Sequence, residues 1–108
     1  MKNRFGLIDT DIEIIMRTFS LHPKVEQAVI FGSRAKGNYK NGSDVDIALK
    51  GTNLDFATLN QISYELNEET TMPYKFDLLI YDHIHEPVLI EHINRVGIEF
   101  YNRNTDLG

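Results

Sequence analysis

Residues 29 to 49 read V-I-F-G-S-R-A-K-G-N-Y-K-N-G-S-D-V-D-I-A-L. The opening Val29, Ile30 and Phe31 are adjacent and apolar, and they end a buried strand predicted over 25–31. The closing residues form a second strand, 44–50. Val45, Ile47 and Leu49 fall on one of its faces; Asp44, Asp46 and Ala48 fall on the other. Between the strands lies a polar loop, Gly32 to Ser43, with three glycines and the cations Arg34, Lys36 and Lys40. So short a connection favours antiparallel pairing of the two strands.

Working outward, residues 9–22 have the spacing of an amphipathic helix, with Ile12, Ile15, Met16 and Phe19 on its apolar face. Thr10 and Glu13 form a capping-box signature at its start, and Pro23 closes it. Downstream, Asp55 is a predicted N-cap for a helix reaching about Glu69, with Phe56, Leu59, Ile62 and Leu66 inward. Residues 74–81 alternate as a third strand: Phe76, Leu78 and Ile80 point one way, and Lys75, Asp77, Leu79 and Tyr81 the other. Pro87 opens a helix to Val96 with Leu89, Ile90 and Ile93 as its stripe, and Gly97 stops it. Residues 98–101 form a short last strand. A helix between the second and third strands favours a parallel crossover. The expectation is an α/β (α+β) fold: a mixed sheet of about four strands with helices over one face and Asp44, Asp46 and Asp77 on the other.

The chain has 108 residues, expected to form one domain over 1–108 with 102–108 as a tail. At 42% hydrophobic and 25% charged it has the composition of a soluble globular fold. Without cysteine it has no disulfide framework, thiolate zinc site or cysteine nucleophile. No apolar run approaches the ~20 residues of a membrane span. The polar first ten residues lack a signal-peptide stretch, so a cytoplasmic location is expected. The net charge of −5 argues against a broad basic footprint for nucleic acid.

Chemistry centres on the acids. Asp44 and Asp46 lie two apart on a strand, so their carboxylates share a face, with Cα atoms about 6.5–7 Å apart. Like charges so placed repel unless a cation neutralises them, and paired carboxylates are the usual protein share of a Mg²⁺ site. Taken alone, such a pair is more often an exposed strand face. Upstream, Gly32 lets a ligand approach the backbone, and the following amides with the Ser33 hydroxyl suit phosphate oxygens; taken alone, the loop is also a plain connection. The Walker pattern is absent. His83, His85 and His92 are read mainly as surface residues, with a metal site as the lesser alternative.

Gly32-Ser33, ten intervening residues and Asp44-Val45-Asp46 together match G-S-x(10)-D-x-D. On this motif the chain resembles the DNA polymerase beta-like nucleotidyltransferase superfamily. The fuller string G-S-R-A-K-G…G-S-D-V-D-I-A-L is similar to its small stand-alone branch, the minimal nucleotidyltransferases (MNT). The resemblance extends from the first helix to the last strand. Asp77, in K-F-D-L-L, matches the family's third acid in position and parity.

The resemblance implies a nucleotidyltransferase with Asp44, Asp46 and Asp77 as catalytic residues and ligands of two Mg²⁺ ions. It implies nucleotide binding through Gly32, Ser33 and Arg34, with ATP as substrate. Two such ions stabilise the attacking and leaving oxygens of an in-line displacement. It further implies a small all-helical HEPN-domain partner. In toxin–antitoxin versions that partner is a ribonuclease toxin, neutralised by attachment of AMP to a tyrosine. Tyr64, Met72, Tyr74 and Tyr81 are candidates for the docking surface. Two other readings stand beside this one: a non-catalytic nucleotide-binding or scaffold subunit acting by contact, and a transferase acting on a small hydroxylated molecule.

Overall fold

The computed structural model describes residues 4–106. After a 3-10 turn at Arg4–Gly6, the elements are α1 (Asp9–Ser20), β1 (Gln27–Phe31), α2 (Gly32–Lys36), β2 (Val45–Lys50), α3 (Phe56–Glu68), β3 (Phe76–Ile80), a 3-10 turn at Tyr81–His83, α4 (Pro87–Val96), β4 (Ile98–Asn102) and α5 (Arg103–Asp106). The four strands form one sheet in the order β3-β2-β1-β4. β1 runs antiparallel to β2 and β4, and β2 runs parallel to β3. The mixed sheet is therefore as expected, and β2 sits inside it, next to the β3 edge.

The period-two alternation allocates the faces as predicted. Val45, Ile47 and Leu49 join Ile15, Phe19, Leu59, Ile62 and Leu66 in the main core, so α1 and α3 cover that face. The opposite face is not bare. Ile93 of α4 packs there with Val29, Phe31 and Ala48 in a smaller cluster, so helices lie on both sides of the sheet.

Several local expectations change. Ile8, not Thr10, is the N-cap of α1, and no side chain caps it; Thr10 lies inside the first turn, where the predicted box does not form. Asp55 does cap α3, accepting from the Thr58 amide at 2.8 Å. Phe56, expected inward, is 69% exposed because it opens the helix one turn short of the sheet-facing stripe begun by Leu59. Gly97 ends α4 in extended backbone (φ −63°), so a left-handed conformation is not its reason. Close packing is: a side chain there would meet Ile93 O and Val29 Cγ1.

The tail expected beyond Tyr101 is instead structured: Asn102 is paired in β4 and residues 103–106 are helical. Arg103 donates to Val25 O, Phe19 O, Ser20 O and His22 O, closing the carboxyl end of α1 some 80 residues away. Residues 107 and 108 lie outside the described range. At the far edge of the sheet, Asn67 of α3 donates to Phe76 O at 3.0 Å and accepts from Phe76 N at 2.8 Å.

Candidate active site

The site is built where β1 ends. Phe31 stands opposite Asp46 across the antiparallel pair, and Asp77 stands beside Asp46 across the parallel pair. One carboxylate of the inner strand thus has an acid on one side and the end of β1 on the other. The chain leaves β1 through Gly32, with φ +71°. A side chain at Gly32 would collide with Asp46 Oδ2, so glycine is needed for both conformation and clearance. Ser33 follows, half-buried in the first turn of α2, where backbone amides have no intrahelical acceptor.

The three acids share one field. Burial, then the charges of Asp77 and Asp44, raise the Asp46 carboxyl above its ordinary range; His92 opposes the shift. Asp77 is raised by burial first and then by its hydrogen bond with Asp44, against the nearby Lys75. Lys75 Nζ lies 3.7 Å from Asp77, an exposed pair with little power to neutralise the cluster. Among the described residues no three acidic or histidine side chains are already drawn together around one point. As a donor set, three mutually repelling carboxylates of hard oxygen still fit a magnesium-type cation.

Of the predicted site residues, Gly32, Ser33, Asp44, Asp46 and Asp77 come together at this end of the sheet. Arg34 does not join them. It is 2% exposed, and its guanidinium points into the fold toward Phe5 O (2.7 Å) and Ser43 O (2.9 and 3.2 Å). Donors committed to backbone carbonyls do not face a triphosphate, so that expectation is corrected.

His92, given little weight in the sequence, packs edge-on against Phe31 and acts electrostatically on Asp46. Its signal was position: it lies one residue before Ile93, which anchors α4 on the acid-bearing face. His83 and His85 are exposed. Of the proposed docking residues, Tyr64 is 53% exposed. Met72 and Tyr74 pack on the core, and Tyr81 is held by Lys50 and Asn94.

A mixed four-stranded sheet with acids aligned beside a Gly-Ser turn has the architecture of the polymerase beta-like nucleotidyltransferases. The family model described as "Polymerase beta, Nucleotidyltransferase" matches residues 13–106. The chain belongs to this family and is a nucleotidyltransferase domain.

Solved structures share the fold. One is a toxin–antitoxin with AMP-PNP: 23% identity, 93% of this chain and 77% of that chain covered, TM-score 0.68. Another is the toxin–antitoxin MntA-HepT, at 19% identity, 92% and 76% covered, TM-score 0.65. A third is a tri-AMPylated Shewanella oneidensis HEPN toxin in complex with MNT antitoxin, at 19% identity, 90% and 74% covered, TM-score 0.64. No curated protein sequence matches the chain at a significant level. No helix among the described residues is long and apolar enough to cross a membrane.

Proposed function

We propose that the chain transfers AMP from ATP to a tyrosine hydroxyl of a HEPN-domain toxin, acting as its antitoxin in the cytoplasm. The observation that carries this reading is the pairing of Asp46 with Asp77 across the ladder, with Asp44 acting on both, beside the Gly32–Ser33 turn. The partner is supported by the neighbours, which are toxin–antitoxin complexes, one with an AMPylated HEPN toxin. The chain serves as a single catalytic domain, and the partner supplies the acceptor.

Asp44, Asp46 and Asp77 would hold two Mg²⁺ ions. When bound, these supply charge neutralisation and a more acidic acceptor hydroxyl. Gly32 leaves the terminal phosphates room to approach the backbone, and Ser33 donates to a phosphate oxygen. Asp77, at the free edge of the sheet, accepts the proton of the acceptor hydroxyl. That oxygen bonds to the α-phosphorus, the bond to the bridging oxygen breaks, and pyrophosphate leaves. Positioning and charge neutralisation supply most of the acceleration.

Net charge supports a protein acceptor over RNA. The chain carries −5, Arg34 is buried, and an RNA site needs several exposed cations. The test incubates the chain and a HEPN-domain partner with α-labelled ATP and Mg²⁺, followed by mass spectrometry. Adenylate on a partner tyrosine, absent with Asp44→Asn, is the expected result. Adenylate on added RNA with the partner unmodified would overturn the acceptor. Neutralisation of the partner by Asp44→Asn as fully as by the wild type would establish contact alone.

A further inference from the structure

We propose that Arg34 is a positioning residue that sets Asp44 against Asp77. The inference rests on the reading of the three acids as the metal-binding site and deepens it. Asp46 and Asp77 are fixed by the ladder between β2 and β3. Asp44 is not: β2 begins at Val45, whose amide donates to Lys75 O at 2.8 Å. The position of Asp44 therefore depends on the turn before it, and Arg34 holds that turn.

The hold is specific. Nε and Nη2 of Arg34 converge on Ser43 O at 3.2 and 2.9 Å, on the residue directly preceding Asp44. Ser43 closes its own turn, donating its amide to Lys40 O at 3.0 Å and accepting from the Lys40 amide at 2.8 Å. On its other side, Nη1 donates to Phe5 O at 2.7 Å, and Phe5 has a left-handed φ of +66°, uncommon for a residue with a side chain.

The guanidinium also lies against the rings of Tyr39 and Tyr74, whose centroids are 5.2 and 5.0 Å from Cζ. Burial first, and then the neighbouring buried Asp11, raise the Tyr74 hydroxyl above its ordinary range. A planar fork that binds the carbonyls of Phe5 and Ser43 while lying against two aromatic rings is a task lysine cannot perform, although it keeps the charge. Arg34→Lys consequently separates geometry from charge.

The experiment measures Mn²⁺ binding to the full chain by electron paramagnetic resonance, with neither nucleotide nor partner. Arg34→Lys should weaken Mn²⁺ binding about 10-fold or more, as loss of a group orienting a ligand does. In an Asp44→Asn background it should add nothing further, because the ligand it positions is gone. Amides 42–45 should exchange faster with deuterium, while those within β2 and β3 keep wild-type protection. In the transfer reaction the Mg²⁺ requirement should rise while the KM for ATP at saturating metal stays within about twofold.

Wild-type Mn²⁺ affinity in a folded Arg34→Lys protein would overturn the proposal. So would additive effects with Asp44→Asn, or a loss confined to the KM for ATP. If Arg34→Lys does not fold, Tyr39→Leu removes one ring that lies against the guanidinium and should weaken Mn²⁺ binding by a smaller factor than that expected of Arg34→Lys; unchanged affinity there would overturn the proposal as well. Absence of transfer by the wild type, with the coupling of Arg34 to Asp44 intact, would break the transferase reading and leave this one standing. If Asp44→Asn does not alter Mn²⁺ affinity, the acids are not the metal site and the proposal falls with them.

Discussion

The two faces of β2 differ by one residue in sequence and by everything in environment. Val45, Ile47 and Leu49 have no solvent exposure and lie under α1 and α3. Asp46, between them in sequence, faces Asp77 across the ladder and shares a field with Asp44. Buried side chains of that size contribute roughly 1.5–3 kcal/mol each, so the core face outweighs the repulsion among the acids opposite. Most of the cohesion is thus carried by one face of the strand, with a smaller cluster around Ala48 on the other, where the proposed chemistry also sits, and substitutions should separate the two roles.

The largest effect expected is on activity. Asp46→Asn should lower transfer by a factor on the order of 10²–10³ or more. Its thermal midpoint should match or exceed that of the wild type, because one of three like charges is gone. An accompanying loss of stability would break the division of labour between faces. Ile47→Ala, one residue away, should behave inversely. It should cost about 2–5 kcal/mol in chemical denaturation while leaving transfer by the folded fraction close to wild type. Ser33→Ala belongs on the chemical face: calorimetry with a non-hydrolysable ATP analogue should show binding weaker by about 1.5–3 kcal/mol, one hydrogen bond to a charged oxygen.

Acid titration sharpens the comparison further. Asp46 and Asp77 are raised above their ordinary 3.8, each chiefly by burial, then Asp46 by Asp77 and Asp44, and Asp77 by Asp44. The folded form therefore holds more protons than the unfolded form between 3.8 and the raised values. From this source, metal-free stability increases as pH falls through that window and stops changing below it. Asp55 works in the opposite sense. Its hydrogen bond from Lys24, first among its causes, holds it well below the usual carboxylate range, so its contribution is lost as pH falls. The difference between wild type and Asp46→Asn isolates the site: the wild type should gain on the variant as the solution is acidified, and saturating Mg²⁺ should remove the gain. The smallest effect lies outside both faces. Phe56→Ser, at an exposed aromatic, should change stability by less than about 0.5 kcal/mol.

Strand parity was legible because period-two alternation is a local property. It assigned the faces of β2 and β3, placed Asp46 and Asp77 on one side, and located α4 through Pro87 and Gly97. What was not legible depends on partners distant in sequence. Arg34 reads as a phosphate ligand because it follows Gly32-Ser33. Its burial is decided by Phe5 O, 29 residues upstream, and by Tyr74, 40 residues downstream. Arg103 reads as tail for the same reason, since its acceptors end α1. Phe56 shows the limit of periodicity at a helix start, where an apolar residue in phase can still precede the contact with the sheet. His92 became meaningful only when packing brought α4 over the end of β1.

The contact between Asn67 and Phe76 has a consequence for how this sheet ends. β3 is an edge, and an edge offers its backbone to any strand that arrives. At Phe76 the offer is already taken: the Asn67 carboxamide donates and accepts as a neighbouring peptide group would, imitating one residue of an absent fifth strand. An intruding chain would have to evict it and forfeit two hydrogen bonds, each worth on the order of 1 kcal/mol. One side chain from a helix thus serves as a stopper against lateral growth of the sheet, one residue away from Asp77, an acid of the proposed site.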